Sequence, residues 1–467
     1  MADGRRRGLS DDLEKKNLLK GTLGRRELIK LGGVVLGGSA AAAVLAACGG
    51  PATPPAAAPA SSAAPSSAPA SASPSSTAGS ASAKPSGSAP ASASASSSSS
   101  VAASSSAAAK PSGSAGKVIK AAFVYLGTAN DHGWTNAHDD GRKFVEQQLG
   151  SQVQTAFTEN VPEEAASQRV FEDYGQKGYD VVYGTSFGYM DFMLAAAKNF
   201  PNTKYEHCAG FKTAPNLSTY MIAQEDGRYL NGILAGKMTK TNTLGFIGSF
   251  PIPEVVRDLN GWAQGVRSVN PQAKIHVVWI NTWFDPPKET TAANSLLDLK
   301  ADVLASVTDS PAMSQAAAAR KVYACGSDSD QTSYAPTAIL SCAVYKWGPH
   351  YLKSVKSIMD GTWKNDQVYY HMKDGAIDAT PPASFIPADV AKLANDAQAK
   401  LKAGQLDIWA GPISDNKGKQ LIGANQTLGD IYTGSAPLPG QTKTDAYIQS
   451  DQMNWALDII VGDIPKS

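Results

Sequence analysis

From residue 117 onward the sequence predicts an α/β protein built from two lobes, each around its own parallel sheet. Three observations carry that prediction. Short apolar runs alternate with longer amphipathic stretches, the pattern of strands joined by helical crossovers. About ten such runs are present, too many for one compact sheet of this length. The first quarter of the chain differs wholly in composition and can contribute nothing to a core.

The strands are read, in order, at "KVIKAAFVYLG", "VQTAFTEN", "YDVVYGTSF", "KYEHCAGF" and "STYMIAQ", then at "TLGFIGSF", "KIHVVWINTW", "ADVLASVT", "KVYACGSD" and "AILSCAVY". Helix-like stretches fall between them at "PEEAASQRVFEDYGQKG", "DGRYLNGILAGKMTK", "PEVVRDLNGWAQGVRSV" and "SPAMSQAAAARK". One lobe is expected over about residues 117–224 plus a later return segment, the other over about 243–335 plus C-terminal segments. Ligands of such sheets bind beyond the carboxyl ends of the strands, where loops converge with helix N-termini. What each strand runs into is therefore the informative list.

The first strand runs into "NDHGWTN", the third into "GTSFGY", the fifth into "QEDGRY", the sixth into "FPIPE", the seventh into "NTWFDPPKE", the eighth into "TDSP" and the ninth into "GSDSDQ". Trp134 sits in a polar turn after the first strand, and Trp283 follows the seventh, in the opposite half. Rings on facing loops of two lobes suit a clamp for a flat ligand, since stacking is worth about 1–3 kcal/mol per ring. Each could instead cap the core of its own lobe, and Phe187 could serve in either role. Asp131, Thr135, Asn136, Ser186, Asp309, Asp328 and Asp330 supply the donors and acceptors that orient a heterocycle or sugar. Some of them are also natural helix caps: in "TDSP", Asp309 or Ser310 can cap the helix that Pro311 opens.

Residues 1–48 read as a signal peptide. Arg25-Arg26 in "GRRELIK" resembles a twin-arginine export signal, and the weakly apolar run ending in "LAAC" resembles a lipobox that would place a lipid on Cys48. Residues 49–116 are almost entirely Ala, Ser, Pro and Gly, a disordered linker with an r.m.s. reach of roughly 45 Å. With 42 Lys and Arg against 41 Asp and Glu, no global field draws the chain to nucleic acid. Four cysteines, one of them committed to lipid, leave Cys208, Cys325 and Cys342 as buried thiols or one Cys325–Cys342 bridge.

Catalytic motifs are few. "GTSFG" fits the G-x-S-x-G elbow with Ser186 as nucleophile, yet no later histidine sits in a suitable turn. "GILAGK" is one residue short of a phosphate-binding loop, and "GSDSDQ" lacks the closing glutamate of a calcium loop. No cofactor, metal or enzymatic activity is implied.

"KAAFVYLGTANDHGWTNAHDDGRKFVE", "GYDVVYGTSFGYMD", "EDGRYLNGILAGKM", "IGSFPIPEVVRDLNGWAQGV", "VVWINTWFDPPKE", "ADVLASVTDSP" and "WGPHYLKSVKSIMDGTW" together resemble the basic membrane protein family of ABC-transporter substrate-binding lipoproteins. The resemblance runs over nearly all of Val118 to Pro465. It implies a type I periplasmic-binding-protein fold, two Rossmann-like lobes with a ligand cleft between them, here preceded by the signal peptide and linker. It also implies a purine base or purine nucleoside stacked between Trp134 and Trp283, with Asp131 in the first loop and Asp328 or Asp330 in the region that contacts ribose. Trp134 followed by Thr135, and Lys346 displaced from the ninth-strand motif, depart from the nucleoside-binding pattern and put the ribose contacts in doubt. The implied partners are a membrane permease with a separate ATPase subunit, met by a lipid-anchored, extracytoplasmic monomer. A ligand sensor for a signalling receptor is the alternative role, and a serine esterase using Ser186 a third.

Overall fold

The computed structural model describes residues 117–434, 437, 441–450 and 452–466. The signal peptide with Cys48 and the linker 49–116 lie outside the described residues.

The ten strand readings all fall on strands. The first five are β1 (Ile119–Val124), β2 (Val153–Thr158), β3 (Val181–Gly184), β4 (Lys204–Cys208) and β5 (Leu217–Ile222). The next five are β6 (Thr243–Gly248), β7 (Lys274–Trp279), β8 (Val303–Val307), β9 (Tyr323–Asp328) and β10 (Ile339–Tyr345). Two more, β11 (Gln367–Tyr370) and β12 (Ile377–Ala379), lack a strong apolar signature and were not legible in the sequence. One sheet has the order β11-β5-β4-β3-β1-β2, with every pairing parallel. The other has the order β12-β10-β9-β8-β6-β7 and ends on a short strand, Ile460–Val461, paired with β7. Only β12 runs antiparallel there. Inner strands such as β3 and β8 are buried at every residue, because helices cover both faces of a parallel sheet.

Nine helices are used below: α1 (Trp134–Leu149), α2 (Ala165–Gln176), α3 (Met190–Asn199), α4 (Gln224–Met238), α5 (Pro253–Val269), α6 (Pro286–Asp298), α7 (Ala312–Ala319), α8 (Gly348–Met359) and α9 (Ala388–Lys402). The chain leaves the first sheet after β5 and enters α4, which carries Glu225 and Asp226 in its first turn and Lys237 in its last, each complementing the helix dipole. It returns after β10, laying α8 on α1, and adds β11 beside β5. After Tyr370 it crosses once more to β12. These three crossings join the lobes.

The "WGPH" segment that opens α8 seals the first lobe. Trp347 is buried and stacks on His138 at 4.3 Å, while the Tyr351 hydroxyl lies 2.6 Å from His138 Nδ1 and 3.0 Å from the Tyr220 hydroxyl. In the second lobe α4 and α5 cross at near-contact of their backbones. A Cβ on Gly265 would lie 2.0 Å from the Tyr229 carbonyl oxygen, and one on Gly232 would lie 2.2 Å from that of Trp262. Helices this close can carry only glycine at the crossing. The thiols of Cys208, Cys325 and Cys342 are free and buried, and burial pushes that of Cys325 up to about 12.

Gly265→Ala is expected to force α4 and α5 apart and to cost about 2–4 kcal/mol of stability. A chemical-denaturation midpoint equal to that of the wild type would show that the crossing tolerates a methyl group.

Candidate ligand-binding cleft

The carboxyl ends of the two sheets face one another across a cavity of about 20 Å³, lined by Leu126, Trp134, Ser186, Phe187, Gln224, Glu254, Trp283, Val307, Asp309 and Asp328. That free volume holds about one water, so the lobes stand in a closed arrangement. Contacts across the mouth hold them there. The His132 carbonyl accepts hydrogen bonds from Ser329 Oγ at 2.5 Å and Gln331 Nε2 at 3.1 Å, and its ring lies 4.8 Å from that of Tyr334. A Cβ on Gly133 would sit 2.3 Å from the Asp309 carbonyl oxygen, so this approach requires glycine. On another side of the mouth, the Trp283 indole donates to Glu163 Oε2 at 3.3 Å.

Trp134 is the first residue of α1 rather than part of a free turn. Asp131 ends the preceding loop by accepting from the backbone amides of Gly133, Thr135 and Asn136, each at 2.9 Å. Those bonds satisfy donors that a helix start leaves open, and so they fix where the indole emerges. The Trp134 ring is further held by its Nε1, which donates to the Thr185 carbonyl at 2.6 Å, and by the edges of His138 at 4.7 Å and Trp347 at 5.4 Å. It both packs on the core of its lobe and lines the cavity, so the two readings of this residue are compatible. Trp283 comes from the loop after β7, rests 5.2 Å from Phe250, and its carbonyl accepts from the Asp309 amide at 2.9 Å.

Of the residues singled out in the sequence, Trp134, Trp283, Ser186, Phe187, Asp309 and Asp328 meet at the cavity. Asp131, Thr135, Asn136 and Asp330 do not line it. Thr135 is buried behind the loop, Asn136 donates to the Ala129 carbonyl, and Asp330 is exposed and accepts from the Thr332 amide. In "TDSP" it is Ser310 Oγ that accepts from the Ala312 amide at the start of α7, which leaves Asp309 free to face the cavity. The Ser186 hydroxyl donates to Glu163 Oε1 at 2.5 Å, and the imidazole of His207 meets the Ser186 carbonyl rather than its Oγ. The elbow motif therefore has a carboxylate, and not a histidine, on its hydroxyl.

Glu254, Gln224 and Glu163 complete the site. "FPIPE" carried the one available signal for Glu254: a strand end followed by Pro253 opening α5. Three carboxyl groups thus share the cavity wall. Burial pushes Glu254 up to about 7, against the opposing pull of the Arg257 charge. Asp328 is likewise raised to about 7 by burial, with Arg228 opposing, and holds a left-handed φ of 69°. Asp309 is driven well above the usual carboxylate range by burial and by the negative charges of Asp131, Asp328, Glu289 and Glu254.

Residues 118–406 match the family model described as ABC transporter substrate-binding protein, PnrA-like. The chain belongs to this Bmp family. It is an ABC-transporter substrate-binding protein of type I periplasmic-binding-protein fold, a class that works outside the cytoplasm and is not a class of enzymes. It is similar to a purine-binding protein of Brucella abortus, 41% identical over 312 residues, which cover 67% of this chain and 89% of that one. A Haloferax volcanii protein named for glucose binding in an ABC transporter is 36% identical over 309 residues, covering 66% and 78%. A solved ABC-transporter solute-binding protein of Aeropyrum pernix shares the fold at a TM-score of 0.55 and 17% identity, over 73% of this chain and 100% of that one.

The raised carboxyl of Glu254 predicts a pH signature. A folded-state pKa above the unfolded one means that stability is lost as pH rises from about 4.5 to about 7. Buried, neutral His138 and His207 act in the opposite sense, so the comparison is differential. Glu254→Gln is expected to gain thermal stability relative to the wild type across that window, and a difference in Tm that is flat with pH would contradict it.

Proposed function

We propose that this substrate-binding protein captures a purine base or purine nucleoside between Trp134 and Trp283 and delivers it to an ABC permease with a separate ATPase subunit. The observation that carries the reading is that an indole from each lobe reaches one narrow cavity whose remaining walls are Leu126, Phe187, Val307 and polar side chains. Two rings lining one cavity suit a flat aromatic ligand once the lobes part to admit it, and the polar groups beside them fix which edge faces which lobe. The purine-binding relative, similar over two thirds of this chain, supports the same choice.

Ligand binding stabilises the closed form by its differential affinity for that form, which the permease then recognises. The lobe contacts at His132 and Glu163 are the ones that such a ligand would reinforce. The protein acts as a monomer, exported through the Arg25-Arg26 signal, anchored by lipid on Cys48, and held clear of the membrane by residues 49–116. A sensory role would use the same cleft with a different receiving protein.

Calorimetric titration of the refolded chain with adenine, guanine, hypoxanthine, their nucleosides and glucose tests the ligand. Binding of a purine and silence with glucose is the expected result. Trp134→Ala and Trp283→Ala should each weaken it by about tenfold to a hundredfold. Wild-type affinity in both variants would rule out the clamp.

A further inference from the structure

The polar wall of the cavity has a sign. Glu254 enters from the first turn of α5, Asp309 from the end of β8, and Asp328 from the end of β9, all onto the space between the two indoles. Among the described residues, no lysine or arginine lines it. The guanidiniums of Arg228 and Arg257 stand behind the wall and are committed to other partners. Arg228 donates to Asp258 at 3.1 Å, to the Ser306 carbonyl at 2.7 Å and to the Tyr345 hydroxyl at 3.2 Å, and lies 3.9 Å from the back of Asp328. Arg257 lies 3.1 Å from Glu225 and donates to Gln224 Oε1 at 2.9 Å. The other charged groups that act on the carboxyls, namely Asp131, Glu163, Asp258 and Glu289, are acidic as well.

Resting on the proposed purine reading, we infer that the cleft selects neutral or cationic purines rich in N–H donors and rejects anionic ones, both acidic oxopurines and phosphorylated nucleotides. The chemistry follows from the wall. A carboxyl group accepts hydrogen bonds from ring N–H and exocyclic amino groups, and a carboxyl that keeps its proton can also donate one to a ring nitrogen. An amino-purine edge offers both partners. An anion meets acceptor oxygens, and like charge wherever a carboxyl has lost its proton, in a water-poor slot where repulsion is strongest. The same residues thus favour one ligand and oppose another, which is how selectivity between molecules of one shape is built.

Xanthine supplies a test in which size is constant, because it passes from neutral molecule to anion as pH rises near neutrality. Titration of the full chain with xanthine and adenine between pH 6 and pH 9 is expected to show xanthine losing affinity as it ionises, by at least about tenfold more than adenine loses over the same range. Urate and adenosine monophosphate, anionic throughout, should bind about a hundredfold more weakly than adenine. At pH 9, where the Glu254 carboxyl has lost its proton, Glu254→Gln removes one charge at constant shape and should narrow the gap between urate and adenine by at least about tenfold. If the variant fails to fold, the xanthine profile decides alone. Parallel pH profiles for xanthine and adenine, or urate within tenfold of adenine, would overturn the inference and leave purine capture standing. Silence with every purine would remove the purine reading, and the inference with it.

Discussion

Arg228 is buried to 1% exposure, and the floor of the cleft depends on it. Its guanidinium ties α4 to Asp258 on α5, to the Ser306 carbonyl on β8 and to the Tyr345 hydroxyl on β10, and it faces Asp328 at the end of β9. Four elements of the second lobe are thereby registered against the helix by which the chain first enters that lobe. A buried cation of this kind is tolerable only because every side of it is answered; removing it would leave Asp328 without its cation and Asp258 with Arg257 alone, 4.0 Å away. The carboxyl that it steadies is also the one held at a left-handed φ of 69°, a conformation that persists only when the surroundings over-determine it.

The aromatic half of the cleft follows the same logic of support from behind. Trp134 is fixed by a helix start that Asp131 caps, by a hydrogen bond to Thr185, and by Trp347 and His138 packed beneath it. Trp283 lies on a longer loop, and its indole N–H is held by Glu163 of the opposite lobe. One ring is therefore set before the lobes meet, whereas the other gains a partner only on closure. That asymmetry gives closure a direct effect on the geometry of the slot. It also ties Ser186, the one residue that looks catalytic in sequence, to the carboxylate that holds the Trp283 indole.

The fold was largely legible because parallel strands buried on both faces write themselves as continuous apolar runs, and all ten such runs became strands. β11 and β12 escaped notice: each is short, with partly exposed residues, and depends on a neighbouring strand rather than on its own pattern. The site was half legible. Large rings at strand ends stand out, and Trp134 and Trp283 both line the candidate cavity. Polar residues there do not declare whether they face the ligand or cap the backbone. Asp131 and Asp330 bind backbone amides, and Asp309 escapes that role only because Ser310 takes it. Glu163 was missed because nothing local distinguishes a cleft carboxylate from a surface one, Glu254 although it closes the strand-end segment "FPIPE", and Arg228 because its partners lie 30 to 117 residues away in sequence.

Closure of the two indoles on a flat ligand is open to direct observation. A crystal structure of the protein as purified from its producing cells, without refolding, tests it most directly. The expected result is a planar ring between Trp134 and Trp283, hydrogen-bonded to at least one of Glu254, Asp309 and Asp328, with Glu163 on the Trp283 indole. A ligand bound elsewhere in the cleft, or one seated there with the indoles turned away from it, would contradict the claim.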